Sequence, residues 1–122
     1  MAFVSTISAL LLAASPAEDA APMDQAPAFR CDIGPLHKAY GGSQWLLYSC
    51  TDGTTLAMVS APGSPAMPYY FMFQRHGVNY RIQGEGTGSK DATDAAYHDL
   101  ATLSASDVEA LIAQTKTVTP AP

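Results

Sequence analysis

The chain has 122 residues, 48% of them hydrophobic, with 6 basic and 11 acidic side chains and a formal net charge of −5. That length fits one domain, because a single core commonly holds about 100 to 150 residues. Nucleic acid is not an expected partner, and neither is an anionic membrane surface, because both need clustered cations. The cations here are scattered along the chain, at Arg30, Lys38, Arg75, Arg81, Lys90 and Lys116.

Residues 1–15 resemble a secretory signal peptide. They carry no charged side chain and contain an apolar run from Ile7 to Ala14, followed by small residues and a proline, as in an h-region and its cleavage zone. The basic side chain usual at the start of such a segment is missing, so an alanine-rich disordered tail is the alternative. Residues 16–27 are mainly alanine, proline and acid and predict a flexible linker. We expect export to the periplasm or secretion.

The rest of the chain is predicted to form one small domain over residues 28–116, with a disordered tail over 117–122. No later stretch approaches the roughly 20 apolar residues of a spanning helix, so we expect no membrane span in the mature chain. Cys31 and Cys50 are the only cysteines. In an exported protein they predict a disulfide, since neither neighbouring histidines nor a Cys-x-x-Cys spacing points to zinc or redox chemistry.

Two dipeptides predict two β-hairpins. Asp52-Gly53 separates the apolar runs 44–51 and 54–60, a strong hairpin signal because a type I′ turn needs positive φ at both central positions. His76-Gly77 is predicted to join 69–75 to 78–84 in the same way. The first register places Trp45, Leu47 and Ser49 opposite Ser60, Met58 and Leu56; the second places Tyr70, Met72 and Gln74 opposite Gln83, Arg81 and Asn79.

Two helices are predicted after the strands. The first is expected to begin at Asp91. The second has Ser104 as its N-cap, with Asp107 at the third helical position in a capping box. Residues 32–43 are ambiguous, with a short helical turn around 36–40 as one possibility. The predicted fold class is α+β: a four-stranded antiparallel meander of two hairpins, covered on one face by two C-terminal helices.

A glycine-rich run before the first helix is a candidate anion loop, formed by Gly84, Gly86, Gly88 and Lys90. Backbone amides at a glycine-rich helix entrance can bind anions, although the spacing matches neither a Walker loop nor a dinucleotide fingerprint. A flexible connection is the alternative. The histidines lack the spacing of a helical metal pair and no nucleophile elbow is present, so we assign no catalytic residue, metal or cofactor.

A second candidate surface lies on the sheet face that alternation turns towards solvent. Tyr70 and Met72 belong to it, beside Arg81 and Tyr48, and such side chains on a wet face can mark a recognition surface. Ordinary core and surface composition is the alternative. The sequence predicts a non-catalytic exported domain that binds a partner protein or small ligand in the cell envelope. The alternatives are a small hydrolase whose site joins the Glu85–Lys90 loop to a histidine (His76 or His98), and a self-associating structural envelope protein.

Overall fold

The computed structural model describes residues 30–118, which form one antiparallel sheet followed by two helices. The five strands lie side by side in chain order. Within this range no helix has the length and apolar character needed to cross a membrane. The strands are β1 (Ile33–Tyr40), β2 (Ser43–Ser49), β3 (Leu56–Ser60), β4 (Tyr69–His76) and β5 (Asn79–Gly86), and the helices are α1 (Lys90–Leu100) and α2 (Ala105–Thr115).

The α+β class and the two C-terminal helices are confirmed, but the expectation of four strands is wrong. Residues 33–40 form a fifth strand, β1, rather than a helical turn, and it pairs with β2 from Ile33 opposite Ser49 to Tyr40 opposite Ser43. Gly34 and Pro35 made this strand hard to predict, because glycine and proline are uncommon inside strands. Proline is tolerated here because β1 is an edge strand and its register shifts between Ile33 and Leu36.

The register of the first hairpin is confirmed: Trp45, Leu47 and Ser49 pair with Ser60, Met58 and Leu56. Its connection is longer than two residues, since β2 ends at Ser49 and β3 begins at Leu56. The Asp52 carboxylate closes the loop by accepting hydrogen bonds from the backbone amides of Thr54 and Thr55, each at 3.0 Å. The aspartate side chain thus supplies the local bonding that a tight turn obtains from its backbone.

The predicted register of the second hairpin is wrong by two positions. The turn residues are Gly77 and Val78, so Tyr70 faces Glu85 instead of Gln83, and Met72 faces Gln83. Gly77 is the first turn residue and has φ of 67°, a conformation that the predicted turn would have demanded of a histidine. A shift of two keeps every side chain on its predicted face, because side chains alternate with a period of two.

The helices pack on one face of the sheet and close the core. Inward side chains of β2, β3 and β4 meet α1 and α2 in a cluster that includes Trp45, Leu47, Leu56, Met58, Phe71, Phe73, Ala96, Leu100, Val108, Leu111 and Ile112. The capping box of α2 is confirmed: the Asp107 amide donates to Ser104 Oγ at 3.1 Å, and the Ser104 amide donates to Asp107 Oδ2 at 2.9 Å. α1 begins at Lys90, one residue before the expected start.

A disulfide joins Cys31 to the buried Cys50, as expected. It ties the start of β1 to the end of β2, where Thr51 also donates its amide to the Arg30 carbonyl at 2.7 Å. Such a bond is typical of proteins that fold in an oxidising compartment. The signal-peptide and linker predictions, for residues 1–15 and 16–27, lie outside the described residues, as does most of the tail over 117–122.

We expect the fold to lose stability in acid through two aspartates. Burial is the largest single influence on the Asp52 carboxyl and would raise its pKa, but the hydrogen bonds from Thr55 and Thr54 together outweigh it and hold the pKa below the ordinary value. The bonds with Ser104 likewise lower the pKa of Asp107. A carboxyl whose pKa is lower in the folded state contributes stability above its unfolded pKa of about 3.9 and loses it as the pH falls through the folded value.

Melting temperatures measured from about pH 6 down to about pH 2 should therefore fall, and Asp52→Asn should flatten that fall. Asp32→Asn is the matched control, because Asp32 makes only an exposed ion pair with Arg30 at 3.5 Å, and such pairs contribute little. An acid profile for Asp52→Asn that overlays the parent's would contradict the role assigned to this carboxylate.

Candidate binding surface on the outer face of the sheet

The sheet has an inner face, covered by the helices, and an outer face that no element of residues 30–118 covers. Period-two alternation sends Trp45 and Leu47 inward and their neighbours outward. The pairing aligns the outward side chains in two rows across the strands. One row runs Leu46, Val59, Tyr70, Glu85, and the next runs Tyr48, Ala57, Met72, Gln83. We call the apolar members of these two rows the outer patch.

The Tyr70 side chain is the most prominent group of the outer patch. It is 41% exposed, and its hydroxyl donates to Glu85 Oε1 at 3.1 Å. This hydrogen bond, together with the negative charge of Glu85, raises the pKa of Tyr70 above its ordinary value. A phenol is already neutral at physiological pH, so the shift changes nothing there. The hydrogen bond links the Tyr70 side chain on β4 to a carboxylate on β5.

An apolar groove runs beside Tyr70 at one end of the sheet. Its volume is about 460 Å³. Three separate stretches of chain form its walls, at the end of β3, in the β3–β4 connection with the start of β4, and at the end of β5: Val59 and Ser60, Met67 to Tyr70, and Glu85 with Gly86. Val59 is 39% and Met67 50% exposed, so apolar surface faces the opening. We call this feature the Tyr70 groove.

A second depression of about 340 Å³ on the same face includes Met72 and Gln83. It shares Tyr70 and Glu85 with the Tyr70 groove. Tyr70 therefore lines both a mainly apolar groove and a more polar one.

Three of the four residues predicted as a recognition surface lie close together on the outer face. Tyr48 and Met72 share a row through Ala57, and Tyr70 occupies the next row. Arg81 is further along the sheet, opposite Gln74, and its guanidinium lies 3.4 Å from a ring nitrogen of His76. Whether these residues bind anything stays a prediction.

Of the residues that line the Tyr70 groove, the predicted recognition surface included only Tyr70. The position of Val59 on the outer face could have been predicted, because the predicted register of the first hairpin already set Val59 on the face opposite Met58. The approach of Met67 and Pro68 to Glu85 could not have been predicted, because it depends on the true pairing of β4 with β5. No local signal encodes that the β3–β4 connection folds back onto the end of β5.

Backbone amides of the candidate anion loop donate hydrogen bonds to other parts of the protein. The amides of Thr87 and Gly88 donate to the Pro68 carbonyl at 2.9 and 3.1 Å, and the Ser89 amide donates to Pro65 at 3.0 Å. A Cβ at Gly86 would overlap Pro68 and Tyr69, a Cβ at Gly88 would overlap Ala66, and one at Gly84 would press on the Phe71 and Tyr69 rings. Close packing thus accounts for all three glycines, against backbone at Gly86 and Gly88 and against aromatic rings at Gly84. Lys90 pairs with Asp94 at 3.3 Å, and anion binding by this loop stays a prediction.

The histidines do not meet Glu85 in the described part of the chain. His76 pairs with Asn79, six residues along β4 from the Tyr70–Glu85 pair, a separation of roughly 20 Å at the usual rise of a strand. His98 lies on α1, which packs on the inner face, whereas Glu85 points to the outer one. The arrangement gives the hydrolase alternative no support. Among residues 30–118 no group of three or more metal-ligating side chains comes together.

No known protein family matches the chain, and neither the curated proteins nor the solved structures contain a significantly similar one. The protein is therefore classified by its architecture alone. It is a small α+β domain with a disulfide, a five-stranded antiparallel sheet and two helices on one face.

Proposed function

We propose that the protein is a non-catalytic binding domain, exported to the periplasm or secreted, which takes up an apolar ligand or an apolar segment of an envelope partner in the Tyr70 groove. The observation that carries the proposal is the groove itself, an open apolar site on the face that the helices leave bare. Ligand sites are typically concave and mainly apolar, with a few polar groups that set orientation. Here that group is the carboxylate of Glu85, held by Tyr70.

The charge of the site indicates which ligands fit. Glu85 presents a carboxylate at the rim, and the whole chain has a net charge of −5. An anionic ligand would be repelled on approach and would lose solvation beside the carboxylate. A neutral or cationic apolar molecule with a hydrogen-bond donor meets neither cost. The proposed ligand class is therefore neutral or cationic and apolar.

The test is titration of the full-length oxidised protein with the neutral fluorescent probe N-phenyl-1-naphthylamine. We expect saturable binding with a blue-shifted emission, and weaker binding of the anionic probe 8-anilinonaphthalene-1-sulfonate. Met67→Asp places a charge in the groove and should weaken the neutral probe by about tenfold. Val78→Asp is the control, because Val78 is 77% exposed at the turn between β4 and β5, away from the groove.

Both variants must melt within a degree or two of the parent, so that a loss of binding reports the groove and not the fold. Absence of saturable binding would overturn the proposal, and so would an equal loss in Met67→Asp and Val78→Asp. Stronger binding of the anionic probe would contradict the proposed ligand class while leaving the groove as the site.

A further inference from the structure

The two edges of the sheet differ in a way that points to a partner strand. Edge strands expose unpaired backbone groups, and proteins usually protect them with prolines, bulges or lysines. β1 is protected in this manner, since Pro35 and a register shift interrupt its pairing and Lys38 follows. β5, by contrast, is an eight-residue strand without proline or lysine, and no other element of residues 30–118 pairs with its outer edge.

The hydrogen-bonding direction of each β5 residue follows from the β4–β5 pairing. Thr87 donates its amide to Pro68, and this pair continues the ladder in which Glu85 faces Tyr70. Bonding alternates along an antiparallel strand, so the odd-numbered residues bond towards β4 and the even-numbered residues face outward. The free edge of β5 is thus the set of backbone N–H and C=O groups of Tyr80, Ile82, Gly84 and Gly86.

The sequence of β5 is complementary to itself. In an antiparallel pair of two β5 strands centred on Gln83, Arg81 of each copy lies opposite Glu85 of the other. Both side chains are on the outer face, and opposite charges directly across a ladder are stabilising. On the inner face Ile82 lies opposite Gly84, and Tyr80 opposite Gly86, so each large side chain meets a position without one.

This register also satisfies the backbone. The even-numbered residues that face outward are the ones that become hydrogen-bonded pairs, Ile82 with Gly84 and Tyr80 with Gly86. Arg81, Gln83 and Glu85 fall in non-hydrogen-bonded pairs, where the Cα atoms are only about 4.5 Å apart and side chains contact most closely. A neighbouring register, centred on Ile82 or on Gly84, also pairs the backbone but leaves Arg81 without Glu85.

We propose that two copies of this chain associate through their β5 edges in that register, forming one continuous ten-stranded antiparallel sheet about a twofold axis. The interface is isologous, as closed dimers require. It brings Arg81 of the second copy against the Glu85 that rims the Tyr70 groove, so each groove gains a cation from its partner. The proposal does not depend on ligand binding, since it stands on the edge and its charges alone.

Charge reversal tests the register in the full-length oxidised protein. Sedimentation velocity over a wide concentration range should show a monomer–dimer equilibrium. Arg81→Glu should raise the dimer Kd by at least about tenfold, because two attractive pairs become repulsive. Glu85→Arg should do the same, and the double variant Arg81→Glu with Glu85→Arg should restore the parent Kd. Lys116→Glu, an exposed change of equal charge at the end of α2, is the control.

Cross-linking provides a second, independent readout. Gln83 faces itself across the proposed axis, so Gln83→Cys should form an intermolecular disulfide readily under oxidising conditions. Gln74→Cys is the control, because Gln74 is also exposed on the outer face but lies on β4, inside the sheet. A parent that stays monomeric at every concentration would overturn the proposal. Equal cross-linking at positions 83 and 74, or failure of the double variant to restore dimerisation, would also overturn it.

Discussion

Replacing Gly41 with alanine is expected to destabilise the fold by about 3 to 5 kcal/mol. Gly41 lies in the turn between β1 and β2 with φ of 60°, and its amide donates to Asp99 Oδ2 of α1 at 2.6 Å. A Cβ there would overlap the backbone of Ala95 and Ala96, which no side-chain rotation can relieve. Helix α1 would have to move away from the sheet, exposing core around Leu100. Equilibrium urea unfolding measures the loss.

Gly42→Ala is the matched control for this prediction. Gly42 is the next residue of the same turn and has φ of 80°, but a Cβ there would meet no atom within 4 Å. Gly42→Ala should lower the free energy of unfolding by only about 1 kcal/mol. The left-handed backbone is unfavourable for alanine, and the smaller conformational entropy of the unfolded chain offsets part of that loss. Equal losses at the two positions would show that backbone conformation, and not the contact with α1, makes glycine necessary at Gly41.

Removal of the disulfide should lower the free energy of unfolding by about 3 kcal/mol, the chain-entropy value for a loop of this length. The bond joins residues separated by 19 positions, and the core that it reinforces belongs to a domain of fewer than 100 described residues. The variant for the measurement is Cys31→Ser with Cys50→Ser, compared with the oxidised parent by urea unfolding. Removing both cysteines avoids leaving a free thiol at the buried position 50.

The reduced parent is the internal control for the disulfide. Reducing agent should destabilise the parent by about the same amount as the double substitution, and it should leave the double variant unchanged. Two hydrogen bonds between Arg30 and Thr51 join the same two segments, and neither involves a cysteine. A double variant as stable as the oxidised parent would show that these bonds alone are sufficient.

The ligand-binding proposal and the dimer proposal both concern the uncovered outer face of the sheet. Pairing of the β5 edges doubles the number of strands in the sheet and places the two Tyr70 grooves on one continuous outer face. Arg81, which the monomer leaves beside His76 at the end of the sheet, acquires Glu85 of the other copy as its partner. Glu85 would then serve two contacts, with Tyr70 in its own chain and with the partner's arginine. Because that arginine would offset the charge of Glu85, the preference for cationic over neutral ligands should be weaker in the dimer than in the monomer.

The candidate site was predictable in part, and the limit is physical. Alternation alone set Tyr70 and Met72 on the face opposite Phe71, because side chains in a strand change face at each residue. The same rule placed Arg81 on that face. It did not predict the distance between Arg81 and Tyr70, because the actual turn lies one residue later than the predicted one. The partner of Tyr70 is Glu85, which the predicted register put beyond the end of the hairpin. A two-position error in register thus preserves faces and changes every neighbour.

The sequence by itself determined the elements whose signals are local. Asp52 fixed the first hairpin and its register, and Ser104 with Asp107 fixed the start of α2, because a turn or a cap involves bonds between residues a few positions apart. Only the tertiary structure decided that residues 33–40 are a strand, that Trp45 and not Leu46 is buried, and that Pro68 meets Thr87. These are contacts between distant segments, and their energy exists only after the sheet has formed.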